Sequence, residues 1–202
     1  MPPKGPDSGI GQEPTLRPPS LEAALAASRR PSDLVPIKVA LRELEKAGDE
    51  LRAAPSDMAA AGRLVQAAAV ARYEGRGAES FALSERAAVA APSSASVQIF
   101  YGSGLLAAGR ATEAEERFLR AVLLEPRRAE SWQELGRAWA ATGNARDATA
   151  AFVLSELVIP AERRSAESLH SLAKRAASDP EWEAIAEACG TLGYGKAPKR
   201  RR

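Results

Sequence analysis

The sequence predicts an all-α protein built from repeated helix pairs, and three observations predict it. Aromatic residues make up 5% of the 202, β-branched residues are sparse and alanine is abundant. Alanine is the strongest helix former and β-branched side chains favour strands, so the composition leans towards helix throughout. A period of 34 residues runs through the middle of the chain: Pro92, Pro126 and Pro160 keep this spacing, as do Gly75, Gly109 and Gly143, and Ala87, Ala121 and Ser155 hold the phase. Apolar residues recur at helical spacing on either side of each glycine, so every period reads as two helices joined by a tight turn. With 45% of residues apolar and 27% charged, the chain has material for one core.

The elements follow in order. Residues 1–36 are expected to form a disordered or weakly helical arm: the first 19 are rich in Pro and Gly, and Leu21 to Arg30 can form a short helix. Ile37, Ala40, Leu41, Leu44, Ala47 and Leu51 recur with helical spacing, which predicts an amphipathic helix over 37–53, ending before Pro55. Being out of phase with the period, it is expected to cap the N-terminal end of the stack. The periods at 61–94, 95–128 and 129–162 predict helices over 61–74, 77–90, 95–108, 111–124, 129–142 and 145–158. Gly75, Gly109 and Gly143 fall between the helices of a pair, where glycine adopts a left-handed turn at little cost. Pro92, Pro126 and Pro160 stop the second helix, because proline disfavours helical geometry in the residue before it. Ala68, Gly102 and Gly136 are small enough for paired helices to approach closely, while Leu105, Phe118, Trp139 and Phe152 fill the remaining space. Beyond Pro160, the stripes Leu169, Leu172, Ala173, Ala176 and Trp182, Ile185, Ala186, Cys189, Leu192 predict two more helices as a C-terminal cap, giving a repeat domain over 37–192. Residues 193–202 are a basic tail.

These columns carry a resemblance. The third period has Trp132, Leu135, Gly136, Trp139, Gly143, Ala148, Phe152 and Pro160; the second has Tyr101, Gly102, Leu105, Gly109, Ala114, Phe118, Ala121 and Pro126, with Gln98 in place of tryptophan. The first is weaker, with Leu64, Ala67, Ala68, Ala71, Gly75 and Pro92 in place but Ser80 and Ser84 where an alanine and an aromatic residue stand in the others. The pattern resembles the tetratricopeptide repeat over about half of the chain. The resemblance implies a right-handed superhelix, an α-solenoid of about three helix pairs with capping helices at both ends, whose first helices line a concave groove that holds partner polypeptides. Carried over position by position, the groove residues are Val65, Ala69, Arg72 and Tyr73, then Ile99, Ser103 and Leu106, then Gln133, Arg137 and Ala140, and in the following helix Arg164, Ser171, Lys174 and Arg175. This groove is apolar at one end and cationic towards the other. Family members that grip chaperone C-termini use Lys and Asn where Val65 and Ala69 stand, which argues against that specialisation. The expected partner is a protein segment with two or three apolar anchors and acidic residues nearby. An alternative occupant of the groove is the N-terminal arm itself, through Leu21, Leu25, Leu34 and Val35.

Other functions find little support. Neither a Gly-rich phosphate loop after a strand nor a nucleophile-His-acid arrangement stands out, so no catalysis and no cofactor are expected. His170, the one histidine, occupies the small-residue column and lacks neighbours with ligand spacing; packing explains it better than metal binding. Cys189, the one cysteine, cannot form an internal disulfide and lies on an apolar stripe, which fits a buried thiol in a reducing cytoplasm. Nothing at the N-terminus has the apolar length of a signal peptide, and no run of eighteen apolar residues suggests a membrane span. Trp132, Trp139 and Trp182 could stack on bases, but the first two stand on core columns. The tail carries Lys196, Lys199, Arg200, Arg201 and Arg202; subtracting these from a net charge of +2 leaves the rest of the chain at about −3. A nucleic-acid or anionic-surface role for the tail is therefore the alternative to a protein-binding adaptor or scaffold. The Ala- and Arg-rich composition points to a high-GC bacterium, and a bacterial motility, secretion or regulatory assembly is one setting for such an adaptor.

Overall fold

A computed structural model describes residues 16–29 and 34–158. Among these residues there are nine α-helices and no strand: α1 (Pro19–Ser28), α2 (Leu34–Ala47), α3 (Asp49–Arg52), α4 (Met58–Tyr73), α5 (Gly77–Ala90), α6 (Ala95–Ala107), α7 (Ala111–Leu124), α8 (Ala129–Ala141) and α9 (Ala145–Val158). The helices expected beyond residue 158, with His170 and Cys189, lie outside the described residues. No described helix is long and apolar enough to cross a membrane.

Helices α4 to α9 pair as α4·α5, α6·α7 and α8·α9, and successive pairs stack through α5·α6 and α7·α8. Each pair turns on its predicted glycine. Gly75, Gly109 and Gly143 have φ of +77°, +76° and +84°, a left-handed conformation that any L side chain would strain. The next residue closes the turn in the same way three times: Arg76 N–H donates to Ala71 O at 2.8 Å, Arg110 N–H to Leu105 O at 2.9 Å and Asn144 N–H to Trp139 O at 2.8 Å. These bonds satisfy carbonyls that the end of the first helix would otherwise leave orphaned. Helix starts are set by side chains that accept orphan amides: Asp57 from Ala60 N–H at 2.8 Å, Ser94 from Val97 N–H at 3.4 Å and Asn144 from Asp147 N–H at 3.3 Å. The Asp57 cap is why α4 begins at Met58 rather than at residue 61.

Within the second and third pairs the close contact is glycine against phenylalanine. A Cβ on Gly102 would come within 2.6 Å of the Phe118 ring, and one on Gly136 within 2.8 Å of the Phe152 ring. Trp132, Trp139, Phe118 and Phe152 are all at most 1% exposed. Gln98, the departure from tryptophan in the second pair, preserves that column's polar contact. Its Nε2 donates to Pro92 O at 3.3 Å, as Trp132 Nε1 donates to Pro126 O at 2.8 Å.

The short helix expected in the N-terminal arm is present and docked. Residues Pro19–Ser28 form a helix whose Leu21, Ala24 and Leu25 are 0% exposed, and α1 packs on α2 and α9. Arg17 and Arg29 bracket the Asp147 carboxylate at 3.2 and 3.3 Å, and the Arg17 guanidinium lies 5.4 Å from the Trp139 ring centroid. The single helix expected over 37–53 is divided at Gly48 into α2 and α3, and these pack on α7 rather than capping the first pair. At the division a Cβ on Gly48 would overlap the Leu123 carbonyl, so only glycine lets the backbones approach this closely. Arg52 Nη1 then donates to Leu123 O and Leu124 O at 3.0 Å each, placing a cation on the carbonyls at the end of α7. Covered by α1 on one side and α8 on the other, α9 is buried at every position from Ala148 to Ser155.

Candidate functional site

The first helices α4, α6 and α8 adjoin one another in sequence, α4 against α6 and α6 against α8. Ten of the residues expected to face a partner lie on them. Ala69, Arg72, Tyr73 and Arg137 are exposed, with Tyr73 at 94%; Val65, Ser103, Leu106, Gln133 and Ala140 are half-buried. Ile99 departs from expectation. At 6% exposure it belongs to the core, because α6 is enclosed between the neighbouring pairs and also buries Val97, Gln98 and Tyr101. Arg164, Ser171, Lys174 and Arg175, and the basic tail from Lys196 to Arg202, lie outside the described residues.

The cations on this side are not equivalent. Arg137 is held by both oxygens of Glu134 at 2.8 and 3.0 Å, so its charge is already answered within α8. Arg72 makes no ion pair among the described residues; its guanidinium lies 4.6 Å from the Phe100 ring centroid, a cation–π contact that leaves its charge available. The same junction between the first and second pairs holds two more such contacts, Arg110 over Phe81 at 5.2 Å and Arg117 over Tyr101 at 5.1 Å, with the Phe81 and Tyr101 rings 5.6 Å apart. Burial and the neighbouring Glu85 carboxylate, which accepts from the phenol at 3.2 Å, raise the Tyr101 pKa above its ordinary 10.0. Hydrogen bonds from Arg110 hold the Glu113 carboxyl below its ordinary value. Cations and rings thus share the junction of the first two pairs.

Sequence reasoning missed Phe81, Phe100 and Gly104, which line a cavity of about 300 Å³ beside Arg72. The signal was Ser84 in a column that holds Phe118 and Phe152. Among the described residues, no group of three or more His, Cys, Asp or Glu could hold a metal ion.

No protein-family model and no curated protein matches the sequence. Solved structures do match the fold. The first tetratricopeptide-repeat domain of Spaghetti (RPAP3), bound to the HSP90 peptide SRMEEVD, is 17% identical over 61% of this chain and 98% of that one, with a TM-score of 0.56. The second such domain of human RPAP3, in complex with the HSP70 peptide SGPTIEEVD, is 17% identical over 55% of this chain and 97% of that one, at 0.50. MamA from Desulfovibrio magneticus RS-1, from residue 41 to its end, is 16% identical over 87% and 94%, at 0.55.

Proposed function

We propose, from the premise that this chain has the tetratricopeptide-repeat fold, that it is an adaptor or scaffold holding a partner polypeptide along α4, α6 and α8. One observation carries the reading. Helix α1 of the arm packs on α2 and on the second helix α9, and apart from Ile99 the expected groove residues on α4, α6 and α8 stay exposed or half-buried. Self-occupation of the groove is thereby disfavoured, since Leu21 and Leu25 are spent on the opposite side. Half-buried Val65, Leu106 and Ala140 offer apolar contacts, and Arg72 offers charge, so the partner combines apolar anchors with acidic residues. Peptides ending in acidic residues occupy two of the similar structures. Val65 and Ala69 bring neither ammonium nor amide to the first pair, which favours a partner other than a chaperone tail. The Ala- and Arg-rich composition fits a bacterial source, where a motility, secretion or regulatory assembly would be the setting for such an adaptor.

Reversing charge on the proposed face tests this. Arg72→Glu with Ser103→Glu is expected to abolish capture of the partner while helix content stays unchanged, and Arg86→Glu on exposed α5 is expected to leave capture intact. Capture that survives the double variant would remove the groove reading.

A further inference from the structure

The cavity between the first two pairs exists because of short residues at two columns. Each helix pair meets the next through its second helix and the neighbour's first helix. Between the second and third pairs these columns hold Phe118 and Ala138, both 0% exposed. Between the first and second pairs the same columns hold Ser84 and Gly104, and about 300 Å³ is left open. That space exceeds the roughly 150 Å³ of an engineered cavity able to take benzene.

Its chemistry is selective. Ser80 Oγ donates to Ala68 O at 2.8 Å and Ser84 Oγ donates to Phe81 O at 2.7 Å, so both hydroxyl protons are committed to helix carbonyls. The floor then offers no free donor, and the Phe81 and Phe100 rings contribute aromatic walls. At the edge stands Arg72, without an ion pair among the described residues, while the nearby carboxylates of Glu74 and Glu79 are held by Arg76, and Glu113 by Arg110.

We propose that this cavity takes the phenyl ring of a phenylalanine in the partner segment, with an aspartate or glutamate beside it on the partner pairing with Arg72. The inference rests on the adaptor reading and adds to it the identity of one anchor. A buried ring satisfies the apolar floor, offset packing against Phe81 and Phe100 suits an aromatic occupant, and the adjacent acid meets Arg72, a cation at the edge that has no carboxylate partner among the described residues.

The test is selection of random displayed peptides against the full chain, followed by titration of the winners on variants. Selected peptides are expected to share a phenylalanine next to an acidic residue. Gly104→Leu, which extends a side chain into the cavity, is expected to weaken them by about tenfold or more, the scale of one buried side chain. It should melt no lower than wild type, because a glycine is removed from a helix interior. Gly104→Ala, whose methyl would meet Phe81 and Ser84 at 3.8 Å, an ordinary contact distance, should fold as wild type and retain most binding. Arg72→Gln should weaken the same peptides and reduce their salt dependence. Winners without phenylalanine, or equal affinity for wild type and Gly104→Leu, overturn the pocket. If such peptides still cross-link to Ser103 and Gln133, the adaptor reading stands without it; if selection yields no binder, both readings fall.

Discussion

Replacing Trp132 with alanine is expected to lower stability by about 3–5 kcal/mol, and the midpoint of thermal unfolding by roughly 6–20 °C. Trp132 is 0% exposed, and its indole fills the space between α8 and the preceding pair. Truncation loses the transfer energy of the ring and leaves a cavity that close-packed helices cannot fully collapse. It also removes the 2.8 Å hydrogen bond to Pro126 O, a carbonyl of a buried residue. Because each pair contacts chiefly its neighbours, damage at this position is expected to loosen α8·α9 and the α7·α8 junction first. Trp132→Gln separates the two contributions. Gln98 makes the equivalent bond in the preceding pair, so the glutamine variant should fall between wild type and Trp132→Ala. Calorimetric melts check this; wild-type stability for Trp132→Ala would contradict the packing described.

Leu25→Asp is expected to release the N-terminal arm at a cost of at least about 3 kcal/mol. Leu25 is 0% exposed between α1 and its neighbours. Losing a buried leucine costs about 1.5–3 kcal/mol, and a carboxylate there is cut off from water, so undocking α1 is cheaper than burying it. Once α1 leaves, the ion pairs of Arg17 and Arg29 with Asp147 are lost, and α9 loses its cover on that side. Trypsin should then cut after Arg29, the Arg17–Pro18 bond being resistant, well before the helix pairs are attacked. The same digestion pattern as wild type would show that the arm is not held by this face.

The helix pairs were legible because turns and stops are local chemistry. A glycine at positive φ and a proline two residues past a helix end mark corners without reference to the rest of the chain, and all three glycines occupy their predicted corners. The arm was less legible. Leu21, Ala24, Leu25 and Ser28 do form a helical stripe, but ten residues do not hold a helix alone; α1 is fixed by α9, more than a hundred residues away. Gly48 shows the same difficulty, since its demand for glycine comes from the Leu123 carbonyl and not from its own turn. In the candidate site, the exposure of Arg72 and Tyr73 followed from register, whereas Ile99 is buried because α6 has neighbours on both sides. The cavity was hidden for another reason. Ser84 reads as a weak match to its column, and it takes the neighbouring Gly104 to turn a missing ring into an opening.

Photo-crosslinking tests the central claim most directly. With a photoreactive side chain placed singly at Ser103 in α6, Gln133 in α8, Arg86 in α5 or Glu116 in α7, the same partner polypeptide should be trapped from the first two positions and from neither of the others. Adducts arising from α5 and α7 but absent from Ser103 and Gln133 would contradict it.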